Sequence, residues 1–130
     1  KQDVTLQLQI ENAIIKGVPS ILEEMIYNLC DNAIRYNKKG GSVTITIAPT
    51  ETEIKLFVED TGVGIPYEEQ DRIFERFYRV SRSRSKEIDG TGLGLSIVKH
   101  GAILHKAMVS IESACGKGSR FCIVFPKEMA

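Results

Sequence analysis

Apolar and polar residues alternate through Val4-Thr-Leu-Gln-Leu-Gln-Ile10, the period-two pattern of a half-buried strand. Ala13-Ile-Ile-Lys-Gly17 is a second, shorter candidate strand. The period then changes. Leu22, Met25, Ile26, Leu29, Cys30, Ala33 and Ile34 recur at helical spacing, which predicts a helix from Pro19 to about Tyr36. Pro19 suits its first turn, where a missing N–H is harmless, and Asn37-Lys-Lys-Gly-Gly41 ends it. Strands are expected at Ser42 to Ala48 and Glu53 to Glu59, joined as a hairpin by Pro49-Thr-Glu-Thr52. Pro66 and the acidic run Glu68-Glu-Gln-Asp71 open a short helical piece carrying Ile73, Phe74 and Phe77. The stretch from Arg79 to Gly90 is polar, rich in Ser and Arg, and without a period. A second helix is expected from Thr91 to about His105, with Leu93, Ile97, Val98, Gly101 and Leu104 at helical spacing and Gly101 as an interruption. Strands at Ala107 to Ser113 and Arg120 to Phe125 flank a turn at Gly116-Lys-Gly118. No repeat and no domain boundary is visible, so residues 1–130 read as one α/β domain.

Two glycine clusters stand at junctions of these elements. Asp60-Thr-Gly-Val-Gly-Ile-Pro66 follows the strand that begins at Glu53, and Gly90-Thr-Gly-Leu-Gly-Leu95 opens the second helix. Glycines at such places allow positive φ and a close approach of backbone to ligand. At a helix start they also expose unpaired N–H groups that suit phosphate. Either cluster alone is more often a plain turn. On the first helix, at about 100° per residue, Glu24, Asn28, Asn32 and Arg35 fall within an arc of roughly 80° beside the apolar stripe, with Tyr36 at its edge. Two amides four apart, with a carboxylate one turn before and a cation after, could hold a hydrated Mg²⁺ and a phosphate chain. A solvated helix face would show the same pattern.

Composition narrows the choice. The net charge is zero, so no basic excess points to nucleic acid or an acidic membrane surface. No apolar run reaches the roughly 18 residues that a membrane helix needs. The three cysteines, Cys30, Cys115 and Cys122, lack metal spacing and read as reduced thiols, although Cys115 and Cys122 could lie near each other. His100 and His105, five apart on a helix, are poorly placed to share a metal.

The order of these features carries more than any one of them. Asn28-Leu-Cys-Asp-Asn-Ala-Ile-Arg-Tyr36 resembles the N box of sensor histidine kinases, and Asp60-Thr-Gly-Val-Gly-Ile-Pro66 their first glycine box. Arg72-Ile-Phe-Glu-Arg-Phe-Tyr-Arg79 is similar to the F box, and Gly90-Thr-Gly-Leu-Gly-Leu95 to the second glycine box. Over essentially its whole length the chain resembles the catalytic, ATP-binding domain of that family. The resemblance implies a two-layer α/β (α+β) sandwich. A mixed, mostly antiparallel sheet of about five strands is covered on one face by about three helices, with a mobile ATP lid.

By carry-over, the resemblance makes Asn28 the Mg²⁺ ligand, with Asn32 beside it near the phosphates. Arg35 would neutralise phosphate charge, Tyr36 would lie against the adenine, and Asp60 would accept a hydrogen bond from the adenine amino group. Gly62 and Gly64 would let the backbone pass close to the ring, and Gly92 and Gly94 would offer N–H groups to the polyphosphate. Arg79 would reach the nucleotide from the start of the lid, residues 79–89. Ile65, Phe74, Tyr78, Gly90, Thr91, Leu93 and Leu95 complete the implied contacts. Glu24 occupies the position of the general base in related ATPases such as gyrase. Val18 stands where the family often has Asp before the helix-opening proline, so that N-cap is lost. His105-Lys-Ala107 replaces the common His-Gly-Gly.

The implied activity is ATP binding and donation of the γ-phosphoryl group to a histidine on a separate dimerisation domain of the same protein. The implied parent is a homodimeric bacterial sensor at the membrane that signals to a response regulator receiver domain. This domain would then be cytoplasmic, without direct membrane or nucleic-acid contact. His100 and His105 are not expected to accept phosphate. The alternatives are another ATPase or a serine-directed kinase of the same superfamily, or a nucleotide-sensing module that transfers nothing.

Overall fold

The alternating segments assemble into a five-stranded sheet of order β1-β2-β3-β5-β4 in a computed structural model, which describes residues 3–75 and 94–127. The strands are β1 (Thr5–Ile10), β2 (Ser42–Pro49), β3 (Glu53–Asp60), β4 (Met108–Ala114) and β5 (Gly118–Pro126). β1 pairs parallel with β2, and every other pairing is antiparallel. Helices α1 (Pro19–Arg35) and α2 (Gly94–Leu104) lie on one face, and Tyr67–Glu69 form a 3₁₀ turn. Thus two α-helices and one short turn are present among the described residues, where about three helices were expected.

Alternation decides which face is buried. Ile54, Leu56 and Val58 of β3 and Phe121, Ile123 and Phe125 of β5 point inward with Val43 and Ile45 of β2. They meet Met25, Leu29 and Ala33 of α1 and Val98 and Ala102 of α2. β1 departs from expectation. Leu6, Leu8 and Ile10 continue the row of Val43, Ile45 and Ile47, yet they are 55%, 59% and 52% exposed because the edge strand lies beyond the helix layer. Residues 13–17 form no strand; they carry the chain from the sheet edge to α1, with Ile15 on the core and Ile14 exposed.

α2 runs through Gly101 without interruption. A methyl group there would lie 2.5 Å from the Met25 sulfur, so the glycine lets α1 and α2 approach closely. The three cysteines are free; Cys30 packs against the core, and burial pushes its thiol above the usual range.

Candidate nucleotide site

Asn28 is held by its own helix. Its Nδ2 donates to the Glu24 carbonyl oxygen at 2.7 Å, one turn back, which leaves Oδ1 as the outward-facing atom. That oxygen looks onto the start of α2: a methyl group at Gly94 would lie 2.9 Å from it. The amide helix and the second glycine cluster, far apart in the chain, therefore meet. An amide oxygen beside the start of a helix is a donor set suited to Mg²⁺ and phosphate together. Asn32 is one turn further along α1 and half-buried.

Asp60 ends β3 at an inward position and is 6% exposed. Its Oδ1 accepts the backbone N–H of Gly62 at 2.8 Å and of Ser119 at 3.2 Å. Oδ2 takes no hydrogen bond from the described residues. Burial pushes this carboxyl above the usual carboxylate range; the two N–H groups pull it back, and Glu59 pushes upward again. Among the described residues, Asp60 thus has one tethered and one untethered oxygen.

The loop after Asp60 is wedged between α1 and the β4–β5 hairpin. Val63 N–H donates to the carbonyl of Tyr36, the residue that ends α1, at 3.0 Å, and Gly116 N–H donates to Val63 at 2.8 Å. A methyl group at Gly62 would come within 2.2 Å of the Tyr36 carbonyl oxygen. At Gly64, where φ is +76°, it would come within 2.0 Å of the Ala114 carbonyl oxygen. Contact with the protein's own backbone is therefore sufficient reason for both glycines.

The remaining expected residues are spread more widely. Arg35 Nε bonds Asp31 Oδ2 at 2.7 Å in an exposed i,i+4 pair on α1. Ile65 is buried, and its N–H donates to Ser113 Oγ at 2.7 Å. Phe74 stands edge-on to Phe121 with ring centroids 6.2 Å apart, and Leu95 also packs on the core. Glu24 is exposed. Tyr78, Arg79, Gly90, Thr91, Gly92 and Leu93, and the lid expected at 79–89, lie outside the described residues. A cleft of about 350 Å³ opens beside Asp60, Ser113 and Ser119. None of Asn28, Asn32 or Gly94 lines it, so the cleft does not span the two halves of the site.

Several residues were missed by the sequence reading. Asn37, only 6% exposed, donates from Nδ2 to Ser42 O at 2.9 Å. It accepts at Oδ1 from Lys38 N–H and Thr61 Oγ1, tying the end of α1 to β2 and to the Asp60 loop. Ser119 Oγ lies 2.8 Å from Ser113 Oγ, and Gln70 Nε2 reaches the carbonyls of Ile65 and Ser113. A signal was available. Ser113 and Ser119 face each other across β4 and β5 at inward positions of otherwise apolar alternations, in the same end row as Asp60.

Residues 17–129 match the family model for histidine kinase-, DNA gyrase B-, and HSP90-like ATPases. The sensor histidine kinase RppB of Synechocystis sp. is 43% identical over 124 residues, 95% of this chain and 27% of RppB. The sensor-like histidine kinase SenX3 of Mycolicibacterium smegmatis is 41% identical over 113 residues, 87% of this chain and 29% of SenX3. The chain therefore spans less than a third of either relative's length. The structure of a mycobacterial sensor histidine kinase, MprB, superposes with a TM-score of 0.87 at 30% identity, covering 98% of this chain and 86% of that one. Since sequence and fold agree over nearly the whole length, this chain belongs to the histidine kinase-, DNA gyrase B-, and HSP90-like ATPase family.

Proposed function

We propose that this chain is the ATP-binding catalytic domain of a sensor histidine kinase, donating the γ-phosphoryl group to a histidine on a separate dimerisation domain. The contact between Asn28 and Gly94 carries the proposal, because it joins a metal-ligating oxygen to a helix start suited to phosphate. The likeness to RppB and SenX3 favours this reading over a gyrase-like ATPase, a serine-directed kinase or a silent sensing module.

Asn28 offers Oδ1 to Mg²⁺ while the Glu24 carbonyl fixes its amide. Mg²⁺ held there by Asn28 would supply neutralisation of charge on the phosphates. Asn32 and the N–H groups at the start of α2 align the phosphate chain. Arg35, which pairs with Asp31 in an exposed i,i+4 contact, would neutralise phosphate charge. Asp60 accepts from the adenine amino group through Oδ2, its other oxygen being held by Gly62 and Ser119. Tyr36 and Ile65 border the base, and Glu24 stands one turn before Asn28 as a candidate base. Transfer of this kind relies on positioning and charge stabilisation rather than on a covalent intermediate.

The parent is proposed to be a homodimeric membrane sensor with this domain in the cytoplasm, passing phosphate on to a response regulator receiver domain. No described helix is long and apolar enough to cross a membrane. Calorimetry with Mg²⁺ and ATP, followed by mixing with the parent's dimerisation domain and radiolabelled ATP, tests the proposal. Binding with acid-labile label on the acceptor histidine is expected. Failure to bind ATP overturns the reading, and binding without transfer supports the sensing module instead.

A further inference from the structure

α1 and α2 lie antiparallel and touch at three levels. Gly94 meets Asn28 at one end and Gly101 meets Met25 and Ile21 in the middle. At the other end, the ring of His105 bridges the two helices. Its Nδ1 lies 2.8 Å from the Gly101 carbonyl oxygen in the last turn of α2. Its Nε2 accepts the backbone N–H of Val18, the residue that precedes α1, at 3.0 Å. A carbonyl can only accept and an N–H can only donate. The two bonds together therefore require a neutral imidazole with its proton on Nδ1 and a lone pair on Nε2. The ring stands edge-on to Phe125, with centroids 6.3 Å apart, and a methyl group at Gly17 would come within 2.5 Å of it. It is wedged as well as bonded.

We infer that His105 is a positioning residue for the nucleotide site: it sets the axial register of α1 against α2 and so holds Gly94 opposite Asn28. The inference rests on the function proposed above. From Val18 to Asn28 is about 15 Å along a helix, and from His105 back to Gly94 about 16 Å. The two spans match, so fixing one end of the pair fixes the other. The middle contact cannot set register alone, because the Met25 side chain is unbranched and adaptable. Val18 has no side-chain cap to anchor the start of α1, so the bond from His105 is its tie to α2.

Two variants separate the halves of the bridge. In His105→Gln the amide oxygen can reach the Nε2 position and accept from Val18. In His105→Asn the amide nitrogen can occupy the Nδ1 position and donate to Gly101, but nothing reaches Val18. Both variants lose the wedged ring and should fall in melting temperature together. Affinity for Mg²⁺-ATP, measured by calorimetry on the folded chain, should separate them. Asn is expected to bind about five- to tenfold more weakly, the loss of one net hydrogen bond, and Gln within about threefold of the parent. Nitrogen-15 NMR of the unliganded chain should show His105 protonated at Nδ1 and bare at Nε2. This readout needs no nucleotide, so it stands apart from the question of whether the chain binds ATP. Equal affinities for Gln and Asn, or a proton on Nε2, would overturn the inference.

Discussion

Asp60 Oδ1 accepts the backbone N–H of Ser119 at 3.2 Å, across the β3–β5 pairing, from a residue 59 positions later. Together with the Gly62 bond, this fixes the plane of the carboxyl and leaves Oδ2 for a ligand. Adenine presents an amino donor to such an oxygen, whereas guanine presents a carbonyl of like polarity. A charged hydrogen bond is worth about 1.5–3 kcal/mol. The chain should therefore bind ATP at least about tenfold more tightly than GTP, and Asp60→Asn should erase that preference. Equal calorimetric affinities of the parent chain for the two nucleotides would falsify the assignment.

The same carboxyl makes folding depend on pH. Burial raises its pKa above the unfolded value, near 3.9. The folded chain then holds this proton more tightly than the unfolded chain does. The stabilisation is complete below the unfolded value and is lost as pH rises through the raised folded value. Asp60→Asn cannot titrate, and its amide oxygen can still accept from Gly62 and Ser119. Denaturant midpoints measured upward from about pH 4 should shift in favour of the variant, then level off above the folded value. A difference between the two proteins that stays constant with pH would rule out Asp60 as the titrating group.

The sheet, both helices and the hairpin turns were legible because each depends on a local period or a turn residue. What sequence alone did not reveal depends on neighbours distant in the chain. Leu6, Leu8 and Ile10 alternate like any half-buried strand, and only the strand order shows that they lie at an edge beyond the helices. Gly101 read as a helix breaker until Met25 was found against it. In the candidate site, Asn28 was singled out by residue type and spacing, and Asp60 by the resemblance to the first glycine box. Asn37 read as a turn residue because its bond to Thr61 spans 24 positions. Gly62 and Gly64 were read for a ligand, yet their tightest neighbours are the carbonyls of Tyr36 and Ala114.

Those glycines can be tested against one that shares only the backbone angle. Gly40 has φ of +80° with open space around it, and Gly64 has φ of +76° with the Ala114 carbonyl in the way. Gly40→Ala should cost about 1–2 kcal/mol, the left-handed penalty alone. Gly64→Ala should add about 1–3 kcal/mol of overpacking. Urea unfolding of both variants gives the comparison, and equal losses would show that the clash at Gly64 relaxes freely.

Asn37 joins α1 to the loop that carries Asp60. Asn37→Ala removes the donor to Ser42 O and the acceptor for Lys38 N–H and Thr61 Oγ1. Ser42 O still accepts Thr61 N–H, and Thr61 Oγ1 still bonds Ser42. The cost is therefore the net worth of the lost bonds, about 1 kcal/mol each, and a loss of about 2–3 kcal/mol in unfolding free energy is expected. Asn37→Asp is the sharper control. It keeps the acceptor but sets a carboxylate oxygen against the Ser42 carbonyl, so it should fare no better than Ala. Recovery of stability in Asn37→Asp would show that the bond to Ser42 is dispensable.

Gly94→Ala separates the nucleotide site from the fold. A methyl group would lie 2.9 Å from Asn28 Oδ1, which is closer than carbon and oxygen normally approach, and the next nearest atoms also belong to that side chain. Asn28 can yield only by giving up its bond to the Glu24 carbonyl, 2.7 Å long, and turning Oδ1 away from the start of α2. Gly94 stands at the start of α2, outside the core, and alanine is no worse a helix former than glycine, so stability should change little. Affinity for Mg²⁺-ATP should nevertheless fall by about tenfold, an amount comparable to one hydrogen bond to a charged group. Binding in the absence of Mg²⁺ should fall less, since the displaced oxygen is the one assigned to the metal. Calorimetry with and without Mg²⁺ on the parent and on Gly94→Ala resolves the point. Unchanged binding in both conditions would mean that Asn28 Oδ1 is not a metal ligand.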